Sequence, residues 1–155
     1  MSVESGTLGM LAEPWVRWRR FAEQTWARRR PEPAWHTPNR VLVEDAAHRL
    51  RDFGGAGEAA GLPLLLVPPE VNHSAIVDFG PGQSLVQTTL DAGFARVAAV
   101  EWRSATAETA HRDIDDSIAT LQAAIRTLGG RAHLVGLCQG GWEAAVVAAL
   151  DPSAV

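Results

Sequence analysis

The 155-residue sequence has no lysine, no tyrosine and only one cysteine, Cys138. All fourteen basic residues are arginine, which we read as coding bias rather than chemistry. A single cysteine excludes an intrachain disulfide and fits a reducing compartment, so a cytoplasmic location is expected. No basic segment followed by an apolar one opens the chain, so no secretory signal is expected. No apolar run approaches the ~20 residues that span a bilayer, so no transmembrane segment is expected. Charge imbalance is small as well, with a net charge of −4, which argues against nucleic acid as a partner. Internal repeats and long low-complexity tracts are missing. What the chain does have is 46% hydrophobic residues, enough for one packed domain of ordinary size.

Residues Met1 to Ala12 read as a weakly ordered tail. A helical pattern follows from Glu13-Pro14 to about Arg30, with Trp15, Trp18, Ala22 and Trp26 at spacings of three and four. Arg17, Arg19, Arg20 and Arg28 to Arg30 fill much of the rest. Such a helix either presents a surface to a partner or packs its Trp stripe on its own domain. Pro31, Pro33 and Pro38 form an extended linker. The expected division is therefore 1–38, tail, helix and linker, and 39–155, a single folded domain whose class the following segments define.

Within the second part, Arg40 to Glu44 and His48 to Phe53 read as a strand pair turning at Asp45-Ala46-Ala47. Gly54 to Gly61 is a glycine-rich loop. Leu62 to Val67 is continuously apolar, as in a strand buried on both faces. Gln83 to Ala92 reads as a helix with Gly93 at its end, and Ala95 to Trp102 as a strand. Ile114 to Leu128 is a helix of clear 3.6-residue period, stopped by Gly129-Gly130. An antiparallel pair followed by strand–helix alternation predicts an α/β fold with a parallel sheet, the first half of an α/β-hydrolase fold.

The chemistry concentrates in Arg131 to Trp142. A strand over Ala132 to Leu137 runs into Gly136-Leu137-Cys138-Gln139-Gly140-Gly141, and a helix follows from Trp142 to Leu150. This is the layout of the G-x-S-x-G nucleophile elbow with Cys in place of Ser. Gly136, Gly140 and Gly141 lack side chains where the turn must close. The helix N-terminus behind Cys138 favours the reactive thiolate. The alternative is a buried structural cysteine in a glycine-rich turn.

Five segments in order resemble the poly(3-hydroxyalkanoate) synthase family. They are Pro63 to Asp78 (PLLLVPPEVNHSAIVD), Ser84-Leu85-Val86, Val100-Glu101-Trp102, Ile114-Asp115-Asp116 and the Gly136 to Gly141 box. The resemblance covers roughly Thr37 to Val155. It implies an α/β-hydrolase-fold acyltransferase acting on 3-hydroxyacyl-coenzyme A, with Cys138 as nucleophile and no cofactor. It further implies an oxyanion hole from the backbone N–H of Gln139 and a second donor after the Leu62–Val67 strand, Val71 or else Glu70. The implied partners are the acyl-coenzyme A substrate and the growing polyester chain, with a homo-oligomer and association with the polyester granule surface. Glu70 and His73 depart from the family pattern.

In this fold the acid and the histidine of the triad follow the nucleophile. Seventeen residues follow Cys138, and none is His. His133 lies five residues before Cys138, roughly 16 Å away along a strand, too far to serve as base. His111 is expected at the start of a helix. Only His73 is expected on the correct side of the sheet, where an exposed loop histidine is the plainer reading. Asp115 and Asp116 read as capping and charging a helix start rather than as a catalytic pair. The expectation is thus a synthase-like chain truncated after the elbow and inactive alone. A thioesterase, esterase or depolymerase fragment and a non-catalytic interaction module remain as alternatives.

Overall fold

The computed structural model describes residues 6–26, 33–54, 61–94 and 96–155. The first residues of the expected tail, the end of the expected helix at Arg28 to Arg30, Pro31 of the expected linker and residues 55–60 of the glycine-rich loop lie outside the described residues. The chain divides into two compact units, Met1–Glu32 and Pro33–Val155.

The described residues of the first unit form one helix, α1, Gly6–Trp26. It begins earlier than expected, because Pro14 forfeits a single i→i−4 bond and interrupts the ladder without ending it. Trp18 stacks on Phe21 with ring centroids 5.5 Å apart, and Arg19 pairs with Glu23 one turn on at 3.0 Å. Trp15, Trp18, Phe21 and Trp26 are exposed.

The second unit is built on a five-stranded sheet. Strands β1 (Arg40–Glu44) and β2 (His48–Asp52) form the expected antiparallel pair. Asp45 makes their turn, accepting from the N–H groups of Ala47 and His48 through Oδ1 at 2.7 and 2.8 Å. Strand β3 (Leu64–Val67) is flanked on both sides. It pairs in parallel with β6 (Val97–Trp102) on one side and β7 (His133–Gly136) on the other. Strand β2 joins the far side of β6 antiparallel. The order across the sheet is thus β1-β2-β6-β3-β7.

Side chains alternate across the pleat, so β3 and β6 supply two cores. Leu65, Val67, Ala98 and Val100 pack under α3 (Ile114–Thr127) and α4 (Gln139–Leu150), against Leu121, Ile125 and Val147. Leu64, Leu66, Val97 and Ala99 face the other way, toward Phe53, Val77 and Val86. Val86 comes from α2 (Leu85–Asp91), which Ser84 caps by accepting from the Gln87 N–H. A small antiparallel pair, β4 (Asp78–Gly80) and β5 (Gln83–Ser84), precedes α2 and was not expected from the sequence. Its strands are too short for a period-2 pattern to register. The expected helix from Gln83 accordingly starts at Leu85.

Two further expectations shift. The start of α3 is capped by Asp113, which accepts from the N–H groups of Asp115 and Asp116, while Asp116 reaches back to the Asp113 N–H. His111 therefore lies in the preceding turn, and the carboxylates serve a reciprocal cap. The segment read as linker is fastened down: Thr37 donates its N–H and hydroxyl to the buried Asp78 at 2.7 and 2.9 Å. Trp35 packs against Phe53, with Arg51 over its ring.

Candidate functional site

The C-terminal ends of β3, β6 and β7 point to one edge of the sheet, and Cys138 sits there between β7 and α4. The helix begins at Gln139, three residues earlier than expected, so Cys138 is itself the N-cap. Its backbone lies at φ 56, ψ −117. A side chain at positive φ is strained and is held only where its surroundings leave no alternative.

Those surroundings are backbone against backbone. A Cβ on Gly136 would overlap the Gly140 carbonyl, and one on Gly140 would overlap the Val67 carbonyl of the neighbouring strand. Gly141 differs: its Cβ would meet the Gly136 carbonyl oxygen at 3.5 Å, an ordinary contact. The Leu137 N–H donates to the Val67 carbonyl at 2.9 Å, extending the ladder to the edge of the turn. The Gly140 N–H returns to the Leu137 carbonyl at 3.1 Å and closes it. The thiol is left exposed, beside the first N–H groups of a twelve-residue helix, where negative charge is favoured.

Across from it runs the loop after β3. The Trp102 indole N–H donates to the Pro68 carbonyl at 2.9 Å, and the Trp102 main-chain N–H donates to Ser74 Oγ at 2.8 Å. Strand β6 thus grips both ends of this loop. Within it, Val71 is 59% exposed and Asn72 takes a left-handed backbone, φ 69. Glu70 accepts a hydrogen bond from Ser117 of α3, so its carboxylate has a fixed partner on a neighbouring helix. A pocket of about 270 Å³ opens beside this loop, lined by Asn72, His73, Trp102, Arg103 and Arg112 among others. Cys138 does not line it.

The histidines are dispersed. His48 pairs with Asp45 at 2.9 Å. His133 meets the edge of Phe94, centroids 5.7 Å apart. His73 is exposed on the loop after β3. None is hydrogen-bonded to Cys138 among the described residues. No three His, Cys, Asp or Glu residues among them are grouped to hold a metal.

Glu143 is the feature that pattern reading missed. It lies on the sheet-facing side of α4, fully buried, with Oε1 accepting from Gln139 Nε2 at 2.9 Å and Oε2 without a partner among the described residues. Burial raises its pKa above the ordinary carboxyl range; the Gln139 hydrogen bond works against this, and the charge of Glu70 adds to it. The i,i+4 spacing of Gln139 and Glu143 was the available signal.

No family model matches the sequence. The chain is 30% identical over 126 residues to the poly(3-hydroxyalkanoate) polymerase subunit PhaC of Haloferax mediterranei, an alignment covering 77% of this chain and 25% of that protein. It thus spans about a quarter of the length of this relative. Among solved structures it is similar to a probable hydrolytic enzyme from Pseudomonas aeruginosa, with TM-score 0.57, 21% identity, and 79% of this chain and 40% of that one covered. An epoxide hydrolase from an endophytic Streptomyces gives TM-score 0.53 at 23% identity over 74% and 34%. An ester-hydrolase from the Lake Arreo metagenome gives 0.51 at 24% over 90% and 46%. These structures speak for the fold, a partial α/β-hydrolase, and the sequence match speaks for the lineage. The chain is thus similar in sequence, over about three quarters of its length, to a poly(3-hydroxyalkanoate) polymerase subunit, and in fold to part of an α/β-hydrolase.

Proposed function

We propose that this chain provides the nucleophile-bearing portion of a synthase-like acyltransferase acting on 3-hydroxyacyl-coenzyme A. The observation that carries this reading is the exposed Cys138 at positive φ between β7 and α4. In the proposed step the Cys138 thiolate attacks the thioester carbonyl carbon. The carbonyl oxygen becomes an oxyanion, received by the backbone N–H of Gln139 and that of Val71. Collapse breaks the carbon–sulfur bond to coenzyme A, which leaves as its thiolate and takes from water the proton that the Cys138 thiol gave up on ionising. The acyl group remains on Cys138 as a new thioester. Loss of one such oxyanion donor typically lowers the rate ~10²–10³-fold.

Gly136 and Gly140 serve this reading by letting the turn close, and Gly141 serves as the following helix residue. Transfer of the acyl group to a growing polyester chain, a granule-surface setting inside the cytoplasm and self-association belong to the same proposal. No helix among the described residues is long and apolar enough to cross a membrane. No group beyond the substrate is required for the step.

The test is incubation of the 155-residue polypeptide with 3-hydroxybutyryl-coenzyme A, followed by intact mass and coenzyme A release. Within these 155 residues no histidine follows Cys138, and general acid–base assistance of the kind a downstream histidine supplies is worth ~10²–10⁴-fold. The expected result is acylation of Cys138 with at most one equivalent of coenzyme A released. Acylation should vanish in Cys138→Ala. Absence of any Cys138-dependent acylation overturns the proposal. Repeated turnover that vanishes in Cys138→Ala overturns the need for a downstream base.

A further inference from the structure

We propose that Glu143 is a positioning residue, which holds the Gln139 side chain along α4 and away from Cys138, so that the Gln139 main-chain N–H alone faces the thiol. The inference rests on the reading of Cys138 as nucleophile.

A carboxyl group is a poor choice for this position on stability grounds. Glu143 is fully buried and one of its oxygens has no hydrogen-bond partner among the described residues. An unpartnered buried polar atom is destabilising, and an apolar side chain of similar volume would remove the penalty. The neighbours Ala144 and Val147 on the same helix face are apolar and packed in the core. The single hydrogen bond Glu143 makes through Oε1 goes to Gln139, the residue directly after Cys138.

Gln139 occupies the first position of α4. Its side chain ends in an amide with two donors and one acceptor, on a stem long enough to fold back over the turn. Unanchored, that amide competes with the main-chain N–H for the thiol and screens it from an incoming thioester. The bond to Glu143 turns it down the helix instead. The acid facing Glu143 from outside α4 is Glu70, on the loop after β3. Glu70 is itself held by Ser117. Burial and the Glu70 charge both favour the neutral Glu143 carboxyl, and in either protonation state a carboxyl oxygen accepts from Gln139.

The experiment compares Glu143→Leu, Glu143→Gln, Gln139→Ala and the double variant Gln139→Ala/Glu143→Leu. It measures the second-order rate of Cys138 alkylation by iodoacetamide at pH 7, alongside the melting temperature. Glu143→Leu is expected to be at least as stable as the wild type, yet alkylated about tenfold more slowly, the ratio that one net hydrogen bond supplies. Glu143→Gln keeps an acceptor for Gln139 and is expected at the wild-type rate. Gln139→Ala is expected to make Glu143→Leu silent, since no side chain is left to hold. Glu143→Met takes the place of Leu if that variant does not fold. Glu143→Leu at the wild-type rate overturns the inference, and so does slowing that persists in the Gln139→Ala background. A wild-type thiol no faster than the same thiol in urea-unfolded chain overturns the reading of Cys138, and this inference with it.

Discussion

Trp102 and Pro68 are joined by a hydrogen bond from the indole N–H to the carbonyl oxygen, 2.9 Å long. Pro68 is the first residue after β3 and Trp102 the last of β6. The bond therefore sets where the loop opposite Cys138 departs from the sheet. Trp102→Phe keeps the ring volume in part and deletes the donor. It is expected to lower stability by about 1 kcal/mol and to speed hydrogen exchange at residues 70–73 beyond the global change. Unchanged relative protection of those amides would place the loop's anchor elsewhere.

Gly140 and Gly141 are adjacent but should respond oppositely to alanine. A methyl group on Gly140 meets the Val67 carbonyl of the sheet, which is backbone and does not yield. We expect Gly140→Ala to lose about 3 kcal/mol, the upper end of ordinary overpacking. Gly141→Ala meets only an ordinary contact at 3.5 Å and gains helix propensity of about 0.5–1 kcal/mol. Urea unfolding of the two variants checks this. Equal destabilisation would show that the turn relaxes as a whole.

Asp78 accepts from the Thr37 N–H, the Thr37 hydroxyl and the Ser84 hydroxyl, the last at 2.6 Å. It is fully buried and ties the segment before β1 to the start of α2. Asp78→Ala leaves three donors without an acceptor and should lose about 3 kcal/mol. Thr37→Val removes one of them and should lose about 1 kcal/mol. In Asp78→Ala, limited proteolysis should cut first near residues 33–39. First cleavage elsewhere would mean that Trp35 packing alone holds the segment.

Glu143 and Asp45 give stability opposite slopes with pH. The Glu143 pKa is raised, mainly by burial, so the unfolded chain ionises first. Its contribution is complete below the ordinary carboxyl value and is lost as pH rises through the folded value. The Asp45 pKa is lowered: burial opposes ionisation, but the N–H groups of His48 and Ala47 and the His48 charge outweigh it. Its contribution is present above the ordinary carboxyl value and is lost as pH falls through the folded one. Above the ordinary carboxyl value, Glu143→Gln should flatten the decline in urea midpoint with rising pH. Below that, Asp45→Asn should flatten the loss toward acid. Profiles parallel to the wild type would show that neither group carries the dependence.

Much of the sheet was legible because its signals are local. The run Leu64 to Val67 is apolar at every position, which suits a strand with a core on each face. The period of Ile114 to Leu128 matches α3 to within a residue. The two glycines flanking Leu137 to Gln139 announced a turn that only Gly could line, and the overlaps at Gly136 and Gly140 give the reason. Short or contact-defined features were not legible. The β4–β5 pair has five residues in all. The docking of Thr37 depends on Asp78, forty-one residues away.

The sequence by itself determined the order of strands and helices, the position of the tight turn and the identity of its single thiol. Hydrophobic period, glycine and helix caps act over a few residues, and so can be read along the chain. The tertiary structure alone decided that Cys138 lies at positive φ, that Gly140 rests on the Val67 carbonyl, and that Glu143 is buried with Gln139 as its hydrogen-bonded partner. Each of these depends on backbone or side-chain atoms brought together by the packing of α4 on the sheet, a distance in space that linear spacing does not encode.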